Sequence, residues 1–148
     1  NYRGIIMVTH VRHSGIVTDD LELSLKFYRD LLGFKEVRRM EESNPFIETV
    51  LGVKGVDVTT IKMSDPNGGQ IELLYFKSHL EKRSKREIND IGISHVAFTV
   101  DDVNQLYGQL KKSGIAFISS PMLSDDGGAT VAFCRAPEGT FIELVEMM

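Results

Sequence analysis

The chain has 148 residues, 42% of them hydrophobic and 26% charged, and carries a net charge of −4. That composition describes a folded, water-soluble chain with enough apolar residues for one packed core, and excludes a disordered one. A negative balance supplies no field to recruit a phosphate backbone, so nucleic acid is excluded as a partner. With no long apolar run and no charged-then-apolar leader in these residues, no membrane partner is expected, and the single cysteine, Cys134, fits the expectation of a reducing, cytoplasmic compartment.

Residues 1–7 carry no functional expectation. The stretch His13-Ser14-Gly15-Ile16-Val17-Thr18 ends in Asp19-Asp20 and reads as a strand running into a helix N-cap. Asp19 and Glu22 have capping-box spacing. Leu21, Leu25, Tyr28 and Leu32 then share one helical face, and Gly33 sits where a helix C-terminus needs positive φ. Strand candidates follow at Phe34–Met40 and Val56–Met63. Between them Asn44–Gly55, with Pro45, Phe46, Ile47, Val50 and Leu51, predicts a short helix or lid. A turn at Pro66-Asn67-Gly68 leads into a last strand containing Glu72.

Residues 78–92, including Lys82-Arg83-Ser84-Lys85-Arg86, are charged and poor in apolar residues, as expected of a solvated linker. After them the pattern returns. His95-Val96-Ala97-Phe98-Thr99-Val100 ends in Asp101-Asp102, and Asp102 has capping-box spacing to Gln105. Val103, Leu106, Tyr107 and Leu110 form the helix face, and Gly114 ends it. Strand candidates lie at Ile115–Ser119 and Ala129–Phe133, and Pro137-Glu138-Gly139 precedes Glu143 as Pro66-Asn67-Gly68 precedes Glu72. Each half therefore reads β-α-β-β-β. The expected fold class is α+β: two βαβββ modules, residues 8–77 and 93–148, related by pseudo-two-fold symmetry in one combined domain.

The metal follows from charge. Glu72 and Glu143 interrupt runs that look like central strands, where an ionised carboxylate costs several kcal/mol, roughly, unless it is paired or metal-bound. Each module offers one histidine near its start, His13 or His95, and one glutamate near its end. Symmetry would collect these into a His2Glu2 set suited to a divalent transition metal such as Zn, Ni, Co, Mn or Fe, with positions left for water or substrate. His10 competes with His13, but only His13 aligns with His95; His79 falls in the linker. Arg38, Arg39 and Arg135 could meet an anionic substrate, although each reads first as solvated surface. Cys134 reads as a small core residue.

At these residues the sequence resembles the vicinal oxygen chelate superfamily, which includes glyoxalase I, methylmalonyl-CoA epimerase, extradiol dioxygenases and bleomycin and fosfomycin resistance proteins. The carriers are His13-Ser14-Gly15-Ile16-Val17-Thr18, Phe27-Tyr28-Arg29-Asp30-Leu31-Leu32-Gly33-Phe34, Gln70-Ile71-Glu72-Leu73, His95-Val96-Ala97-Phe98 and Glu138-Gly139-Thr140-Phe141-Ile142-Glu143-Leu144-Val145. The resemblance implies that the two modules form a curved mixed sheet around a metal cleft, with the metal held by His13, Glu72, His95 and Glu143. It also implies a small-molecule substrate with neighbouring oxygens, and a homodimer whose modules pair within or between chains. The implied chemistry is that of a glyoxalase-like lyase or isomerase: proton abstraction next to a carbonyl, with a metal-stabilised enediolate. Glu143 would act as the base and Glu72 could serve the opposite face. An epimerase-like racemase is the alternative, followed by a non-heme iron dioxygenase and a non-catalytic binding or resistance protein.

Overall fold

Among the described residues, apolar positions alternating at period two and turns with glycine at positive φ give nine strands, and three helical segments connect them. The structure is a computed structural model that describes residues 4–82 and 84–148; Arg83, in the linker, lies outside the described residues. In chain order the elements are β1 (Ser14–Val17), α1 (Leu21–Leu25, continuing as a π-helical stretch over Lys26–Leu31), β2 (Lys35–Glu42), α2 (Pro45–Leu51), β3 (Val58–Ser64), β4 (Gln70–Phe76), β5 (Val96–Thr99), α3 (Val103–Lys112), β6 (Ala116–Phe117), β7 (Met122–Leu123), β8 (Ala129–Arg135) and β9 (Phe141–Met147).

They form two mixed sheets, ordered β1-β4-β3-β2 and β5-β9-β8-β6, with β7 also paired to β8. In each sheet the first strand runs parallel to the last strand of its module: Gly15 lies opposite Glu72, and Ala97 opposite Glu143. The expected α+β class and the repeat of strand, helix and three-stranded meander are both present; β7 is an addition in the second half.

One expected detail is displaced. Asp20, not Asp19, caps α1, its Oδ1 accepting from Leu23 N, and Asp102 caps α3 in the same way through Gln105 N. Asp20 and Asp102 are the equivalent positions of the repeat, so the pairing of Asp19 with Glu22 was one residue out of register. The first helix also widens: Leu32 N donates to Phe27 O, five residues back. This π-turn rotates the helix so that the adjacent Phe27 and Tyr28 are both buried.

The inner faces of both sheets share one core. Ile16, Ile61, Met63, Ile71 and Leu73 from the first sheet cluster with Ala132, Cys134, Ile142 and Leu144 from the second, around Leu25, Phe27, Tyr28, Val103 and Leu110 from the helices. Each of the isoleucine, leucine, valine, methionine and phenylalanine side chains among them contributes about 1.5–3 kcal/mol by leaving water. Since side chains alternate along a strand, Glu72 and Glu143 point to the opposite face of their sheets from this core. Among the described residues no helix is long and apolar enough to cross a membrane.

Candidate metal centre

Parity and pairing place each glutamate beside its module's histidine. His95 Nε2 lies 3.1 Å from Glu143 Oε1, with the two side chains 33% and 22% exposed. His13 Nε2 lies 3.7 Å from Glu72 Oε1 in a less exposed setting. The sequence predicted both pairs. The structure does not bring the pairs together within the chain: among the described residues no three histidine, cysteine or acidic side chains converge as a metal site. The shared core explains the separation, because it occupies the side of each sheet that faces the other module.

Hydrogen bonds around His95 orient its ring. Ser94 Oγ donates its one proton to Ile88 O at 2.7 Å, so at 3.0 Å it can only accept from His95 Nδ1. With Nδ1 as the donor, a neutral His95 turns the bare lone pair of Nε2 toward the Glu143 carboxylate. Two electron-pair donors at 3.1 Å repel unless a proton or a metal cation lies between them. A divalent metal fits this donor set, and the Ser94 contact is the kind of outer support that fixes a ligating histidine's tautomer. In the first module Arg12 stands where Ser94 stands in the second, and His13 Nδ1 is buried with no hydrogen-bond partner. Ser94 was not singled out from the sequence, although it immediately precedes His95.

The surroundings of the two pairs differ. Lys62 lies opposite Glu72 on β3, and Arg38 lies opposite Lys62 on β2. At the equivalent place in the second sheet Phe133 is opposite Glu143, and its ring meets that of His95 edge-on, with centroids 5.0 Å apart. The inserted helix α2 sits on the same face as Glu72, where Ile47 packs with Val56, Val58, Leu74 and Phe76. The expected lid is thus a helix clamped beside the glutamate. His10 is exposed and bonded to Thr9, and His79 is exposed and bonded to Ser78, so neither joins the pairs.

A second cluster joins the modules. Ser24 Oγ and Tyr28 Oη donate to the two oxygens of Glu138 at 2.7 and 2.8 Å. Burial, and then the charge of Glu138, hold the Tyr28 phenol far above its ordinary range, so it stays a donor. Burial alone pushes the Cys134 thiol up to about 12, consistent with a packed rather than a reactive cysteine.

Residues 8–144 match the Glyoxalase/Bleomycin resistance protein/Dioxygenase superfamily, and the chain belongs to that family. It is 26% identical over 136 residues to a lactoylglutathione lyase of Haemophilus influenzae, covering 92% of this chain and 91% of that protein. It is 30% identical over 142 residues to the lactoylglutathione lyase of Schizosaccharomyces pombe, covering 91% of this chain but 46% of that longer protein. Among solved structures, a glyoxalase family protein from Bacillus cereus superposes with a TM-score of 0.89 at 22% identity, covering 98% of both chains.

Proposed function

We propose that the protein is a metal-dependent, glyoxalase-type lyase or isomerase whose centre is completed by a second copy of the chain. The observation that carries this reading is the pair of half-sites, His13 with Glu72 and His95 with Glu143, held apart on the outer faces of their sheets. Among the described residues β1 and β5 are edge strands: each pairs on one side only, and Val17 on β1 is exposed. Free edges of this kind are templates for pairing with another chain. Pairing β1 of one copy with β5 of the other would join His13 and Glu72 to His95 and Glu143 of the partner in two equivalent sites, as two-fold symmetry requires.

Four such residues offer two neutral imidazoles and two carboxylates, which balance a divalent cation. When bound, the metal would polarise neighbouring substrate oxygens and so acidify the adjacent C–H. Glu143 accepts that proton at a carboxylate oxygen, with His95 fixed beside it by Ser94. Glu72 is placed to hold or return a proton from the opposite face. Return to the neighbouring carbon gives an isomerisation, as in the lactoylglutathione lyases this chain resembles. Return to the same carbon from the other side gives an epimerisation, the second reading. The lone buried Cys134 suits a reducing cytoplasm.

Mixing separates shared from in-chain sites. His13→Ala and His95→Ala variants should each lose metal, measured by elemental analysis after reconstitution. After unfolding and refolding together, their mixed dimers should regain one intact site, because both substitutions then fall in the other site. No recovery would place all four ligands in one chain, and equal metal in the wild type and the double variant would refute the ligand set. For the chemistry, Glu143→Gln should abolish deuterium exchange into methylglyoxal hemithioacetals and methylmalonyl-CoA, since an amide cannot accept the proton. Exchange that survives this change would overturn the base assignment.

A further inference from the structure

The strand β2 carries two adjacent arginines that the fold treats differently. Register along β2 and β3 shifts between Glu36 and Arg38, leaving Val37 as the extra residue of a β-bulge. Without the bulge Val37 would stand opposite Lys62; with it Arg38 takes that place. Arg39 therefore turns to the helix side, where its guanidinium is bonded to Glu36 at 2.9 Å. Arg38 turns to the side of Glu72.

On that face Gly15, Glu72, Lys62 and Arg38 form one row across all four strands. Glu36 and Glu41 are taken up by Arg39 and Lys77. Among the described residues no carboxylate lies within salt-bridge distance of either Lys62 or Arg38. A half-buried lysine and an exposed arginine thus stand side by side next to the half-site, without a salt-bridge partner among the described residues. The equivalent row of the second sheet has no cation: Ala97, Glu143 and Phe133 lead to Ile118, whose N–H donates to Phe133 O.

We infer that Lys62 and Arg38 are specificity-determining residues that bind an anionic group, carboxylate or phosphate, on the substrate whose neighbouring oxygens meet the metal. This rests on the metal-centre reading and adds the substrate class to it. The anion lies on the first module's flank and the apolar part against Phe133, so the asymmetry also orients the substrate. Arginine matches the planar fork of a carboxylate or phosphate, while lysine supplies a point charge.

Hydroxamates chelate through two neighbouring oxygens, so they test the subsite without turnover. The full-length, metal-reconstituted protein is titrated calorimetrically with acetohydroxamate, succinohydroxamate and 3-phosphonopropanohydroxamate, which differ in the anion they carry. The wild type should prefer at least one of the two anionic probes about tenfold, and the preferred one identifies carboxylate or phosphate. In Lys62→Gln/Arg38→Gln that ratio should fall to about one, and Arg38→Gln alone, an exposed change, should lower it part of the way. Because the ratio compares probes on the same protein, an altered metal affinity at Glu72 cancels. A ratio that survives the double substitution, or no preference in the wild type, overturns the anion subsite and leaves the metal centre standing. Failure of all three probes to bind overturns the metal centre, and the subsite with it.

Discussion

The phenol of Tyr28, from the first module's helix, donates to Glu138 Oε2, from the second module's last turn, at 2.8 Å, and Ser24 Oγ holds the other oxygen. Glu138 thus ties the two repeats together from the side of the shared core. A hydrogen bond to a charged group contributes about 1.5–3 kcal/mol, and a buried donor left without a partner costs about as much. Tyr28→Phe should therefore lower stability by about 2 kcal/mol and Glu138→Ala by about as much, since the latter removes the acceptor of the Tyr28 phenol while Ser24 Oγ keeps Thr18 Oγ1 at 2.8 Å. Urea unfolding followed by circular dichroism measures both; wild-type stability in Tyr28→Phe would mean that the phenol's bond to Glu138 contributes nothing net.

The same bond has a pH signature. Burial and Glu138 raise the folded Tyr28 above the ordinary tyrosine value of 10.0. Above that pH the unfolded chain has lost a proton that the folded chain keeps, so stability falls as pH rises. The contribution is complete at neutral pH and disappears in the alkaline range. Spectrophotometric titration of the four tyrosines should show one that ionises only together with alkaline unfolding, and Tyr28→Phe should remove it. Four freely titrating phenols in the folded protein would contradict the burial.

Ser94 makes the second-module half-site testable on its own. If its hydroxyl fixes His95 with Nδ1 as donor, Ser94→Ala should weaken metal binding about 10–100-fold while Ser94→Thr preserves it. Competition with a chelating indicator reads this directly. Equal affinity in Ser94→Ala would mean that the imidazole is oriented by its packing on Phe133 alone.

Much of this architecture was legible because it occurs twice. The offsets from His13 to Glu72 and from His95 to Glu143 run through the same elements, so both pairs and both sheets could be read before any geometry. Three features could not. The separation of the half-sites depends on which faces share the core, and strand parity within one module does not specify that. Lys62 sits in an apolar run where only its register against Glu72 gives it meaning. The bulge at Val37 is invisible in Arg38-Arg39, yet it sends neighbouring arginines to opposite faces. Asp19 and Asp20 both have acceptable cap chemistry, and only the equivalence of Asp20 with Asp102 in the repeat tells them apart.

Cys134 is fully buried and its thiol is pushed up to about 12 by desolvation. The thiolate is the reactive form, so a disulfide reagent at pH 8 should modify the folded protein only as fast as it opens. In urea the single thiol should react at once. Rapid labelling of the native protein would show that the core around Tyr28 and Cys134 opens far more readily than its packing indicates.

The helix α2 should be the least stable element. It is capped by Asn44, whose Oδ1 accepts from Ile47 N, and it ends on Gly52 at φ 68°. Its attachment is the small cluster of Ile47, Val56 and Val58, separate from the main core. Phe46 and Val50 are exposed. Opening α2 therefore disturbs few buried contacts, and such a unit unfolds locally at a lower free energy than the whole chain. Ile47→Ala removes its one buried anchor, a change that costs about 2–5 kcal/mol in a full core. Hydrogen exchange should then show lost protection over residues 45–51, while β3 and β4 keep theirs and the thermal midpoint moves little. If Ile47→Ala instead lowers protection across β3 and β4 and shifts the midpoint by many degrees, α2 is a structural part of the first sheet rather than a separately moving cover beside Glu72.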